Sequence, residues 1–204
     1  VPELLTQYPG LTVNFAGETE EQAETASSMT SMFLLAMIAI YTLLAIPLKS
    51  YVQPLIIMTA IPFGIVGAIL GHWLLDLNLT MLSWFGFFGL SGIVINDAII
   101  LVTFYRELRQ QGQPAKQAIV DASCQRLREV MLTSLTTIAG LLPLLFETSL
   151  QAQFLIPMAV SISFGLAYAT VLILFVIPAL LSLIEEHTEK KVERKLARLE
   201  AKQA

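Results

Sequence analysis

Charge is the first thing this sequence is short of: only 14% of its 204 residues are Asp, Glu, Lys or Arg. An ordinary soluble domain carries about a quarter. So few charges cannot cover a water-facing surface, least of all when they are clustered. The chain has a single cysteine, Cys124, which excludes a secreted disulfide scaffold. With sixteen acidic against twelve basic residues the net charge is −4, so a nucleic-acid-binding module is not expected. Hydrolytic chemistry lacks its signatures too, with no H-E-x-x-H, no G-x-S-x-G and one acid deep in an apolar run, hence no aspartyl dyad. No enzyme activity, cofactor or resident metal is expected. The seven methionines are scattered without an inward-facing pair pattern that would mark a soft-metal path.

Apolar sequence is what there is instead: 55% of the residues, with a mean hydropathy of +0.71. Residues 25–48, 50–75 and 148–184 contain no formal charge. Runs of that length read as membrane spans rather than core helices. Five transmembrane helices are predicted at about 28–48, 52–75, 80–104, 129–146 and 153–184, the last long enough to tilt or project. The expected architecture is an all-α bundle in the bilayer. Ahead of it, residues 1–27 read as the end of an external domain, with a turn at Pro9-Gly10 and a short alternating strand over 11–15. That strand has no partner in this sequence, and no basic leader precedes it, so the chain reads as a fragment of something longer.

Lysine and arginine set the orientation. Lys49 lies in the first connection, and Arg106, Arg109, Lys116, Arg126 and Arg128 lie in the third, at 105–128. Lys190, Lys191, Arg194, Lys195, Arg198 and Lys202 complete the twelve in the tail, at 185–204. All fall on one side of a five-span chain. The positive-inside rule makes that side cytoplasmic and the start of the chain external. Within the third connection, residues 113–122 open on Pro114 and mix apolar with polar residues at helical spacing, predicting a short helix along the cytoplasmic face. The tail, with acids and bases at i,i+3 and i,i+4 such as Glu186 with Lys190, reads as a solvated helical extension.

Asp97 stands apart from the other acids, in the apolar run Gly92-Ile-Val-Ile-Asn-Asp-Ala-Ile-Ile-Leu101. A carboxylate at bilayer depth costs roughly 2.5–3.5 kcal/mol on insertion scales, so its default reading is functional. The competing reading is a protonated Asp that hydrogen-bonds between helices as packing glue. At about 100° per residue, Gly89, Asn96 and Thr103 share one stripe, and Gly86 lies within about 20° of Asp97. Thr133, Thr136, Thr137 and Gly140 make a small polar face on the fourth span. Asp97 and Thr133 both fall roughly 6–8 Å cytoplasmic of the midplane at about 1.5 Å per residue. Two polar surfaces at one depth can form a proton or ion relay, with Gly86, Gly89 and Gly140 allowing close helix approach. Gly64, Gly67 and Gly71 read as a packing face on the second span, and His72 as an interfacial histidine rather than a ligand.

Three stretches carry a family resemblance: residues 60–71, 89–101 and 125–144, the last reading Gln125-Arg-Leu-Arg-Glu-Val-Met-Leu-Thr-Ser-Leu-Thr-Thr-Ile-Ala-Gly-Leu-Leu-Pro-Leu144. They resemble resistance–nodulation–division efflux pumps of the hydrophobe/amphiphile, or acriflavine-resistance, branch. The resemblance implies spans eight to twelve of a twelve-span permease, preceded by the last strand of a periplasmic insertion. It further implies a proton-driven multidrug exporter of the bacterial inner membrane. Such pumps are homotrimers that work with a periplasmic adaptor and an outer-membrane channel on amphiphilic small molecules. Their relay joins an aspartate pair on span four to a lysine on span ten and an arginine and threonine on span eleven. By motif Asn96 falls at the lysine position, with Asp97 after it, and Arg126 and Thr133 match the arginine and threonine. Without a lysine at 96, either Asp97 titrates, or Asn96 only hydrogen-bonds and Arg126 supplies the charge. The aspartate pair belongs to the N-terminal half, without which these spans should not pump. The alternative reading is a non-transporting scaffold or sensor, or an accessory of protein or lipid translocation, on the same fold.

Overall fold

The computed structural model describes the backbone of residues 18–203 and the side chains of 24, 25 and 27–187. The strand predicted over 11–15 and the tail pairs beyond 187 lie outside these residues. The described chain is helical throughout: α1 (Glu18–Leu48), α2 (Gln53–Met58), α3 (Ala60–Leu74), α4 (Met81–Gln110), α5 (Ala115–Leu145), α6 (Leu150–Gln153) and α7 (Ile156–Gln203). Among the described residues there is no strand. Among the described residues five stretches are long and apolar enough to cross a membrane: Ser27–Leu48, Gln53–Leu74, Met81–Gln110, Ala115–Leu145 and Ile156–His187.

The chain divides into a unit ending at Ile40 and a unit beginning at Tyr41. In the first, the described residues form helix, and Ser31 Oγ donates to the Ser27 carbonyl at 3.1 Å. The second unit is built around α7, which packs against α3, α4 and α5, while α4 also touches α2, α3 and α5. Its core is aliphatic, with Leu48, Ile57, Leu90, Val94, Leu101, Val102, Val160, Leu166, Ile173 and Ile177 all under 2% exposed.

Glycine lets these helices meet. A Cβ on Gly67 would lie 2.4 Å from Tyr168 Cβ and 2.9 Å from the Phe164 carbonyl, and one on Gly71 would lie 2.5 Å from Phe164 Cβ. From the α7 side, a Cβ on Gly165 would sit 2.2 Å from Leu90 Cδ2 and 2.8 Å from the Gly64 carbonyl. Dispersion and close backbone approach hold membrane helices together where no hydrophobic drive separates protein from lipid.

Local chemistry explains the interruptions. The second span is two helices because Pro62 can neither donate to the Met58 carbonyl nor avoid it sterically. Thr59 ends α2 and begins α3, its Oγ1 donating to Ile56 O at 2.6 Å. α3 stops at a turn in which Leu77 N donates to His72 O at 2.9 Å and Asp76 N to Trp73 O at 3.4 Å, with Asp76 at φ +52°. α4 ends the same way, through Gln113 N to Leu108 O and Gly112 N to Arg109 O, with Gly112 at φ +89°. Both are the paired 6→1 and 5→2 closures that need a left-handed residue, which glycine and aspartate tolerate best.

One boundary differs from expectation. The sequence predicts a separate helix at 113–122 and a span from 129, yet α5 runs unbroken from Ala115 to Leu145. The intervening Asp121-Ala-Ser-Cys-Gln-Arg-Leu-Arg-Glu129 is polar, which ends a hydropathy window. It holds neither glycine nor proline, so nothing ends the helix.

Candidate functional site

The candidate relay residues lie on α4 and α5, and they are not all covered alike. Asp97 is 4% exposed, on the same buried face of α4 as Gly86, Leu90, Val94 and Leu101. Among the described residues its carboxylate has neither a hydrogen-bond nor an ion-pair partner. Asn96, one residue earlier, is exposed, and so are Gly89 and Thr103. The stripe that helical spacing assigns to one face is thus one face, and it is uncovered among the described residues.

On α5 the threonines also face outward. Thr133 and Thr136 are exposed, and Thr137 is partly so. Each hydroxyl bonds back to its own helix: Thr133 Oγ1 to Val130 O at 2.9 Å, Thr136 Oγ1 to Leu132 O at 2.9 Å and Thr137 Oγ1 to Thr133 O at 2.8 Å. Such back-bonds satisfy a hydroxyl without tying it to another helix. Arg126 pairs with Glu129 one turn on and lies over the Phe104 ring, 4.6 Å from its centroid. That cation–π contact is a point where α5 meets α4.

The three packing glycines separate. Gly86 is at a tight crossing, where a Cβ would come 2.6 Å from Ser161 Cβ and 2.9 Å from Met158 O. A Cβ on Gly89 would meet only Ile162 Cδ1, at 4.0 Å, and one on Gly140 nothing within 4 Å. These two glycines do not bring helices together within the described residues, because both lie on the uncovered faces.

Sequence reasoning missed the buried polar contacts that join helices. His72, at the end of α3, is covered by protein, 3% exposed. Its Nδ1 lies 2.9 Å from Ala68 O and its Nε2 2.9 Å from Ser83 Oγ. A carbonyl only accepts, so Nδ1 carries the proton, and in the neutral ring Ser83 donates to Nε2. Ser83 also builds the α4 N-terminus, accepting from Thr80 N at 3.1 Å in a reciprocal cap. The Ser83 carbonyl accepts from Ser161 Oγ at 3.2 Å, which links α7 to the same cluster. The other missed contact is Ser134, whose hydroxyl is 2.6 Å from Thr170 Oγ1 across α5 and α7. Its neighbour Thr133 has the sequence signal, but Ser134 faces inward. A helical-wheel comparison with the apolar face of α5 was the available clue.

Residues 3–185 match the profile of the AcrB/AcrD/AcrF family. Multidrug resistance protein MdtC of Proteus mirabilis is 33% identical over 165 residues, which are 80% of this chain and 16% of that protein. MdtC of Yersinia pseudotuberculosis is 30% identical over 187 residues, 91% of this chain and 18% of its own length. A crystal structure of a heavy metal efflux pump superposes with a TM-score of 0.76 at 26% identity, covering 87% of this chain and 18% of that one. This chain therefore spans less than a fifth of the relatives it matches.

Proposed function

The chain belongs to the AcrB/AcrD/AcrF family of resistance–nodulation–division membrane proteins, and from that premise we propose that it is the C-terminal membrane portion of a proton-driven exporter of amphiphilic small molecules. The family is one of transporters, not enzymes. In this reading the whole protein sits in the bacterial inner membrane with the tail cytoplasmic. It works as a homotrimer with a periplasmic adaptor and an outer-membrane channel. The MdtC relatives, named for multidrug resistance, support amphiphilic substrates.

One observation carries the coupling part. Asn96 and Thr133 stand exposed on two apolar helices, and Asp97, next to Asn96, is a buried carboxylate without a partner among the described residues. Polar groups at membrane depth are costly against lipid and are found facing protein or a wet cavity. A second set of helices covering these faces, the N-terminal half, would enclose them as a relay. Arg126 is already engaged by Glu129 and Phe104, which favours Asp97 as the titrating group and Arg126 as a fixed charge.

The test is efflux of a fluorescent amphiphilic cation from cells expressing the full-length transporter, under an intact proton gradient. Asp97→Asn is expected to lower efflux by about tenfold or more, the scale on which losing a proton-handling group acts. Thr133→Ala is expected to lower it less, at unchanged protein level. Unaltered efflux in both variants would remove these residues from the mechanism. The fold match to a heavy metal efflux pump favours metal-ion export as the second reading. Cells that gain resistance to metal salts and not to amphiphiles would select it.

A further inference from the structure

A cavity of about 310 Å³ opens where α2 begins and α4 ends, lined by Gln53, Tyr105, Arg106, Arg109, Gln110 and Glu185. We propose that it binds the phosphate headgroup of a bilayer phospholipid. Arg106 and Arg109 sit at i,i+3 on α4, so their side chains are neighbours on one helix face. Each guanidinium has five N–H donors, and few are committed. Arg106 Nη1 donates to Leu48 O. Arg109 Nη1 donates to Gln113 O at 2.8 Å, and its Nη2 is 3.8 Å from Glu185 Oε2. The Tyr105 hydroxyl donates to Glu185 Oε1, which occupies the one carboxylate at the site. Two positive charges thus face one negative, leaving a cationic cavity with spare forked donors. That is the geometry that takes a phosphate bidentately.

A second observation points to the rest of the ligand. Gln53 Oε1 is buried without a hydrogen-bond partner. It is an acceptor in a cavity otherwise rich in donors. A phospholipid headgroup brings both complements, a phosphate for the arginines and an ammonium or hydroxyl for Gln53 and Glu185. Beside Gln53 the chain presents Tyr51, 80% exposed, with Val52 and Leu55 half exposed. This is an apolar skirt along which acyl chains can lie. Basic pockets between spans at the membrane boundary are suited to lipid phosphates. A free phosphate would use the arginines and leave both the skirt and Gln53 unmatched. The inference rests on these helices being membrane spans, and it is independent of proton coupling.

The experiment uses the full-length transporter, delipidated in detergent and titrated with phosphatidylethanolamine or phosphatidylglycerol, with bound lipid counted by native mass spectrometry. Arg109→Gln is expected to weaken lipid binding about fivefold, the effect of losing one basic contact at a membrane surface. Arg109→Lys, which keeps the charge but not the fork, should recover only part of that loss, and Arg128→Gln, an exposed base outside the cavity, should cause none. Gln53→Leu should weaken binding as well. If its Oε1 were only an unsatisfied buried acceptor, this change would raise the melting temperature and leave lipid binding alone, against the proposal. Glu185→Gln should weaken phosphatidylethanolamine more than phosphatidylglycerol if the ammonium is held there. Equal lipid affinity in wild type and Arg109→Gln, both folded by their melting curves, overturns the site. Displacement of the lipid by inorganic phosphate at matched concentration would assign the arginines to a soluble anion and overturn the lipid. Efflux is not the readout, so loss of transport and loss of lipid are separable.

Discussion

At the scale of single residues, neighbouring side chains with similar chemistry do different work because one faces in and the other out. Ser134 meets Thr170 inside the unit, while Thr133 bonds only to its own helix. Thr133→Ala should therefore leave the melting temperature in detergent unchanged, whatever it does to transport. Ser83→Ala is the contrasting case. It strands the His72 Nε2 in a site 3% exposed and removes half of the α4 cap. Thermal unfolding should register a loss of about 1–3 kcal/mol, the cost of leaving a buried polar group unpaired. His72 illustrates the limit of reading residues one at a time. Its position near a span end suggests an interface, but only the turn through Asp76 and Leu77 brings Ser83 onto its ring.

At the scale of elements, glycine and proline were legible as types, and the partner each one meets was not. The α3 glycines read as a packing face from their spacing alone, and Gly67 and Gly71 do lie against α7. Gly165, which closes the same crossing from the other side, carries the same signal in Ser161, Gly165 and Ala169 at i, i+4 and i+8, a spacing that the reading of single glycines passes over. Gly165→Val would force side-chain atoms into Leu90 and the Gly64 carbonyl, and overpacking of this kind costs about 1–3 kcal/mol. Lower yield and a lower melting temperature are expected, while Gly140→Ala, with open space around it, should behave as wild type. The continuity of α5 is testable too. Gln125→Pro should destabilise the protein by about 3 kcal/mol if a single helix passes through. Wild-type stability would instead mean two elements joined by a loop. Hydropathy could not reveal this continuity, since it measures transfer to lipid and a polar helix scores as a loop.

At the scale of the whole molecule, charge distribution predicts orientation, and thiol labelling can read it. Gln111→Cys and Asn78→Cys, both at exposed positions at opposite ends of α4, can be compared in a background without other reactive thiols. A membrane-impermeant maleimide applied outside the inner membrane should label position 78 and not 111, and label 111 after permeabilisation. Labelling of both from outside would refute the assignment. The sequence by itself determined five stretches apolar enough to cross a membrane, a glycine face on α3, and that Asp97 is an acid out of place. Those properties follow from transfer free energies and helical periodicity, which are local to each segment. Only the tertiary structure decided that Asp97 is buried while Asn96 and Thr133 face outward. It alone turned His72 into a helix-joining residue and set Arg106 and Arg109 beside Gln53 and Glu185. Those outcomes depend on how α7 seats against α3, α4 and α5, a matter of fit between distant segments that no local pattern encodes.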